Sequence, residues 1–167
     1  MDKIKQVIEA IEANTQEYIV IAIDGRCASG KTTLANKLAQ HFHANVFHMD
    51  DYFLRKEQRT KERLSEIGGN VDRERFIEEV ASKLHSDTDI VFAPFDCKTM
   101  ALKEKRTVKQ THVTIIEGSY AMHPLLRKYY DYMIYLTIDP QTQQNRIYER
   151  NPEKYDGFVN RWIPLEE

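Results

Sequence analysis

Residues 18–33 read Tyr18-Ile19-Val20-Ile21-Ala22-Ile23-Asp24-Gly25-Arg26-Cys27-Ala28-Ser29-Gly30-Lys31-Thr32-Thr33. The first six are apolar and mostly β-branched, which marks a strand buried on both faces, as parallel strands are. The small-residue segment after them satisfies G-x-x-x-x-G-K-T and runs without a spacer into Leu34, Ala35, Leu38, Ala39 and Phe42, spaced as one face of a helix that ends near His43. A glycine loop in that strand-to-helix context folds so that successive backbone N–H groups, and the positive end of the helix, face a phosphate. Gly25, Ala28, Ser29, Gly30, Lys31, Thr32 and Thr33 are therefore the candidate nucleotide-binding residues, with Lys31 reaching the β- and γ-phosphates and Thr32 offering its hydroxyl to Mg²⁺.

Outward from this centre, strands and helices alternate. Ile4, Val7, Ile8 and Ile11 line one face of a helix over residues 1–14 that Asp2 is placed to cap. Asn45–Met49 reads as a second strand, Asp89–Ala93 as another, and His112–Ile116 and Tyr132–Ile138 as two more apolar strands. Arg55–Glu66 is charged enough to be an exposed, mobile segment, stopped by Gly68-Gly69. Asp72 caps a helix carrying Phe76, Ile77, Val80 and Leu84; Lys98–Gln110 suggests a hairpin turning near Glu104; and Met122–Tyr130 looks helical. Asp139-Pro140 is a good helix start, an N-cap followed by proline in the first turn, for a helix reaching about Arg150. The pattern predicts one α/β domain over 1–167, three-layered, with a mostly parallel central sheet of the P-loop NTPase type.

Composition narrows the partners. With 24 Lys+Arg against 26 Asp+Glu the net charge is −2, so no general attraction to nucleic acid or anionic membrane is built in. No apolar run approaches the roughly 20 residues of a membrane span, no secretory signal is evident, and a cytoplasmic protein is expected. Cys27 and Cys97 lack C-x-x-C spacing and read as free thiols.

The carboxyl ends of parallel strands are where open α/β sheets bind ligands. Glu117 ends the strand at 112–116 there, and its carboxylate suits a hydrated Mg²⁺. Asp50 and Asp51 follow the second strand, and one of them is placed to orient or deprotonate an attacking hydroxyl. Arg146 and Arg150 share a helix face, with Arg161 beyond, and a planar guanidinium fork suits the charged oxygens of a transferring phosphoryl group. The six histidines show no metal-ligand spacing and read as structural or exposed. The base-reading N-K-x-D of GTP switch proteins is absent.

The P-loop, Asp50-Asp51-Tyr52-Phe53, Gly69-Asn70-Val71-Asp72, Pro94-Phe95-Asp96 and Ile116-Glu117-Gly118 together resemble, in order, the uridine kinase family of P-loop nucleoside kinases, over roughly Ile19–Arg161. That resemblance implies a catalytic aspartate at Asp50, a ribose-binding aspartate at Asp72, acceptor contacts from Phe95 and Asp96, and a short arginine-containing lid over 141–163 that includes Arg146, Arg150 and Arg161. Departures are visible. Phe95 and Met100 replace the tyrosine and histidine that contact the pyrimidine, and the lid reads Arg150-Asn151-Pro152-Glu153-Lys154. The family commonly continues past the position of Glu167 into another edge strand. The expected activity is transfer of a phosphoryl group from Mg·ATP to a primary hydroxyl, the 5′-hydroxyl of a nucleoside first; the alternative is a nucleotide-hydrolysing switch or assembly ATPase with no small-molecule acceptor.

Overall fold

The apolar run at residue 19 becomes a strand from Ile19 to Gly25, and from Ile19 to Ile23 it is wholly buried. It belongs to a computed structural model that describes residues 3–166; Asp2, expected as the first helix cap, lies outside them. In chain order the strands are β1 (Ile19–Gly25), β2 (Asn45–His48), β3 (Ile90–Phe92), β4 (Phe95–Asp96), β5 (Ala101–Leu102), β6 (Arg106–Val108), β7 (Val113–Glu117) and β8 (Tyr132–Leu136). The helices are α1 (Lys3–Glu12), α2 (Lys31–Phe42), α3 (Lys61–Ser65), α4 (Arg73–Glu79), α5 (Pro140–Arg150), α6 (Tyr155–Gly157) and α7 (Ile163–Glu166).

Four strands form a parallel sheet in the order β2-β7-β1-β8. The two-residue period of each strand sends alternate side chains to two cores. Ile19, Ile21, Ile23, Val113 and Ile115 pack with Ile11 of α1 and with Ala35 and Leu38 of α2, while Val20, Phe47 and Ile116 pack with Tyr52, Phe76 and Leu84 on the other face. The central sheet is thus covered on both sides, the three-layer α/β arrangement expected. The register aligns His48, Glu117 and Ile23 across three strand ends, so the residues that follow β1, β2 and β7 emerge at one edge.

Three local readings are corrected. β3 and β4 pair antiparallel with β6 and β5 as a ribbon outside the central sheet, and its reversal is at Cys97–Met100, not Glu104. The turn forms where Asp96 Oδ1 accepts the Lys98 N–H at 2.8 Å and Met100 adopts a left-handed φ of 55°. Met122–Tyr130 holds only a 3₁₀ turn at Arg127–Tyr129, because Pro124 lacks a donor and the Met122 N–H goes to Asp24 at 2.8 Å. Arg63, expected on a mobile segment, is anchored: it donates to the carbonyls of Gly69 and Val71 and pairs bidentately with Glu74.

Gly25 sets how the phosphate loop leaves the sheet. Its φ is 139°, and a Cβ there would stand 1.9 Å from the Leu136 carbonyl oxygen of β8. Gly25→Ala is therefore expected to cost about 3 kcal/mol or more of folding stability, through backbone displacement and an unfavourable φ together. Urea unfolding measures this directly, and a midpoint within error of wild type would refute the close packing of loop against β8.

Candidate active site

The loop between β1 and α2 is shaped by two left-handed residues, Ala28 at φ 61° and Gly30 at φ 97°, with the Ser29 N–H turned back onto the Arg26 carbonyl at 3.1 Å. α2 starts at Lys31 and runs 12 residues, so its unpaired N–H groups and positive end open into the cavity beside the loop. Lys31 Nζ donates to the carbonyls of Gly25 (2.8 Å) and Arg26 (3.0 Å), which folds the ammonium over the loop. Ser29 Oγ is buried and has no hydrogen-bond partner among the described residues. An orphaned hydroxyl inside a cradle of left-handed backbone is what a phosphate oxygen would satisfy, and the loop fits a nucleotide tail on that ground.

α5 clamps the same loop from the side. Gln143, itself buried, donates to the Cys27 carbonyl at 3.1 Å, Arg146 to the Ala28 carbonyl at 3.1 Å, and Arg150 lies 3.9 Å from Cys27 Sγ. Burial, with Glu166 nearby, pushes the Cys27 thiol above its ordinary pKa despite Arg150 and Lys31. Both cysteines are free, as expected.

Opposite the loop stands Glu117, only 6% exposed at the end of β7. Its two carboxylate oxygens lie 3.4 and 3.3 Å from Thr32 Oγ1, and His48 Nδ1 meets Oε1 at 2.5 Å. That hydrogen bond is the main reason the His48 pKa is raised above its ordinary 6.5. Asp50 sits close by on the 3₁₀ turn Met49–Tyr52, and its carboxyl is raised chiefly by withdrawal from bulk water within the cleft, then by Glu117, against the pull of Lys31. The turn points Asp51 away from the cleft wall: Arg75 binds its carbonyl at 2.9 Å, and its carboxyl, raised by burial, is drawn down by His48 first and then by Arg106 and Lys103. Of the two acids only Asp50 lines the cleft.

Thr32 and Glu117 offer two hard oxygen donors side by side, and no group of three or more His, Cys, Asp or Glu capable of holding a metal exists among the described residues. A cation here must bring most of its ligands as water or phosphate, which is the habit of Mg²⁺ and fits the expected cofactor.

Most of these groups share one cleft of about 1230 Å³. It unites the loop from Ala28 to Thr33 with Asp50, Phe95, Glu117, Arg146 and Arg150. Gly25 lies beneath the loop. Three expected acceptor residues are not on the wall. Asp72 is 2% exposed and committed: Oδ1 caps α4 through the Arg75 N–H (3.2 Å), while Oδ2 accepts from Gln58 Nε2 at 3.1 Å and lies 3.5 Å from Arg75 Nε. Asp96 holds the ribbon turn, and that backbone hydrogen bond lowers its pKa. Arg161 stacks over Trp162 at 4.8 Å, and it is Trp162 that reaches the cleft.

Several residues of the site carried no signal in the motif reading. His48, which motif spacing leaves among the structural or exposed histidines, stands at the end of β2 against Glu117. Asp24 accepts from the N–H groups of Gly25 (2.6 Å), Tyr120 (3.2 Å) and Met122 (2.8 Å), tying loop and β7 exit together. Glu166, far along the chain, accepts from the Cys27 N–H and from Ser119 Oγ, both at 2.9 Å.

The fold and the loop define a P-loop kinase architecture, and comparison with known proteins agrees. The chain superposes on a possible uridine kinase from Bacillus stearothermophilus with TM-score 0.71 and 26% identity, covering 96% of this chain and 95% of that one. D-glycerate 3-kinase from Cryptococcus neoformans var. grubii shares the fold at TM-score 0.61 and 15% identity, over 99% and 87%. In sequence the chain is 25% identical over 156 residues to uridine kinase-like protein 4 of Arabidopsis thaliana, covering 89% of this chain and 33% of that protein, so it spans about a third of that relative. No family model matches. The two uridine kinase-like matches agree with the resemblance carried by the motifs, and the glycerate kinase shows the shared fold.

The His48–Glu117 pair makes stability depend on pH. A histidine whose pKa is raised on folding stabilises fully below its unfolded value near 6.5 and loses that contribution as pH rises through the native value. His48→Gln should therefore be less stable than wild type at pH 6, with the gap closing as pH climbs past the native pKa; chemical unfolding at a series of pH values checks it, and a gap that widens with pH contradicts the pair.

Proposed function

We propose that the protein is an ATP-dependent small-molecule kinase, transferring the γ-phosphoryl group of Mg·ATP to a hydroxyl. The observation that carries this reading is the convergence on one cleft wall of the Lys31 loop, the Thr32–Glu117 oxygens and Asp50. In the proposed reaction the acceptor oxygen bonds to the γ-phosphorus, the bond from that phosphorus to the β-γ bridging oxygen breaks, ADP leaves, and the hydroxyl proton passes to Asp50.

Lys31 would exchange its two loop carbonyls for phosphate oxygens, and Ser29 Oγ would gain a partner. Thr32 and Glu117 would hold Mg²⁺, which when bound supplies charge neutralisation at the phosphates. Glu117 would exchange His48 or Thr32 for that role. Arg146 and Arg150, held beside the loop, would bind charge that grows on the equatorial oxygens. Positioning and electrostatics do most of the work in such a loose transition state.

We further read residues 1–167 as one kinase domain with 141–163 as its lid: from this region and just beyond, Glu153, Lys154, Gly157, Phe158, Trp162 and Glu166 line the cleft. A cytoplasmic location accompanies this reading; among the described residues no helix is long and apolar enough to cross a membrane. The partner is a small hydroxyl compound, with no nucleic acid or membrane involved. A nucleoside 5′-hydroxyl is the acceptor that the family resemblance implies. Because Asp72 is committed to a helix cap and Phe95 and Met100 stand for hydrogen-bonding residues, the function we carry forward is the broader one, a small hydroxyl acceptor.

Lys31→Ala should abolish transfer through lost charge stabilisation. Asp50→Asn should bind Mg·ATP normally yet lose roughly 10²–10⁴-fold in turnover, and unchanged turnover would remove Asp50 from the mechanism. Since the Asp50 carboxyl must be ionised to accept a proton and its pKa is raised in the free protein, the acid limb of the kcat/KM profile should lie above the ordinary aspartate range and vanish in Asp50→Asn. ADP release should stay near silence without an acceptor; acceptor-independent hydrolysis at full rate would favour a switch ATPase.

A further inference from the structure

Five cations line the cleft: Lys31, Arg59, Arg146, Arg150 and Lys154. Three of them contact the phosphate loop directly and are accounted for by the nucleotide. Arg59 and Lys154 are not. The Arg59 guanidinium is half-buried, reaches only the Leu54 carbonyl at 3.4 Å, and meets no carboxylate among the described residues; the Lys154 ammonium has no ion-pair partner among them either.

Arg59 is held in place by a built tether. Gln58, its neighbour, accepts from Arg55 N and Nε at 3.0 and 3.1 Å and donates to the buried Asp72 Oδ2 at 3.1 Å. The Arg59 N–H itself closes a turn onto the Lys56 carbonyl at 3.3 Å. The aspartate expected to read the acceptor thus anchors instead, through Gln58, the turn that carries Arg59.

The same two cations sit with Asp50 around Cys97. Burial raises that thiol most, Asp50 and Asp96 add to it, and Arg59 and Lys154 pull the other way. Phe53 and Phe95, edge-to-face at 6.4 Å, and Met100 line the cleft too, and none of these three side chains offers a hydrogen bond to a base, which leaves Asn70 as the amide on the wall near them. A half-buried arginine with no ion pair among the described residues, on the wall of the cleft that Asp50 also lines, suits a carboxylate or phosphate far better than a neutral ring.

We infer that the acceptor is itself an anion: a small hydroxyl compound bearing a carboxylate or a phosphate, gripped by Arg59 with Lys154 while its hydroxyl lies at Asp50. This rests on the kinase reading above and names its substrate class. The bonds made and broken are those already written; the anionic group takes no part in them.

The test is a panel read by coupled ADP formation. It has a carboxylate arm (D-glycerate, pantothenate), a phosphate arm (ribulose 5-phosphate, fructose 6-phosphate) and a neutral arm (uridine, cytidine, fructose). One anionic arm should turn over and the neutral arm should not. Arg59→Met should raise the acceptor KM by roughly 10- to 100-fold, as loss of a charge-assisted contact does, with the KM for Mg·ATP unmoved, and Arg59→Lys should recover part of the loss. Turnover of a neutral acceptor alone, or an acceptor KM indifferent to Arg59→Met, overturns the inference.

Calorimetry with AMPPNP and Mg²⁺ filling the loop separates the two levels of the argument. Anion binding that Arg59→Met weakens, without ADP from any acceptor, would sink the kinase reading and keep the anion site. Anions that bind no better than uridine or fructose would sink the anion site, whatever the chain catalyses.

Discussion

The site depends on the carboxylate of Asp24, the penultimate residue of β1, which accepts three backbone N–H groups, from Gly25 at the start of the phosphate loop and from Tyr120 and Met122 after β7. A carboxylate serving three amides fixes two chain segments that would otherwise move independently. One of those segments positions Lys31 and Thr32, and the other leaves the strand that carries Glu117. The 3.3–3.4 Å approach of Thr32 to Glu117 is a consequence of that shared anchor together with the β1–β7 register. Gly25 completes it by letting the loop pass hard against the end of β8.

The two acids facing the phosphate loop come from strand ends, Glu117 from β7 and Asp50 just past β2, because parallel strands in this order all present their carboxyl ends to the same edge. The loop-side cations come from α2 and α5, and each is held by a loop atom while no phosphate is near. His48 plays the corresponding part for Glu117, giving that buried carboxylate a partner. Glu166 does the same for the Cys27 N–H and Ser119. Several polar groups in the wall therefore have a partner that a ligand can replace, whereas Ser29 Oγ is buried with no hydrogen-bond partner among the described residues.

The acceptor side is organised differently. Asp72 is buried in a network with Arg75, which also donates to the Ala93 and Asp51 carbonyls, lies 3.1 Å from Glu79 and packs 4.4 Å over the Tyr52 ring. That network joins α4, the β2 exit and the ribbon into one block. Its effect on the cleft passes through Gln58 to Arg59, so an acid that the motif would place against the ligand acts two residues removed from it.

The amino-acid sequence by itself determined the strands, the phosphate loop and the carboxylates at strand ends, because these follow from local rules. A buried parallel strand shows as a continuous apolar run, a phosphate loop needs glycines at fixed spacing, and residues after a strand must emerge at its carboxyl end. Local rules also chose Asp139 as the cap of α5. What they could not reach was direction and distance. Which of Asp50 and Asp51 faces the cleft turned on a 3₁₀ turn where extended chain was equally readable. Asp72 fits a cap and a ligand contact alike until the fold buries it, and His48, Gln58 beside Arg59, and Glu166 gain meaning only from groups 69, 14 and 139 residues away, Glu117, Asp72 and Cys27. Such pairings are settled by packing between elements, where side-chain reach and desolvation decide, and no spacing in the chain encodes them.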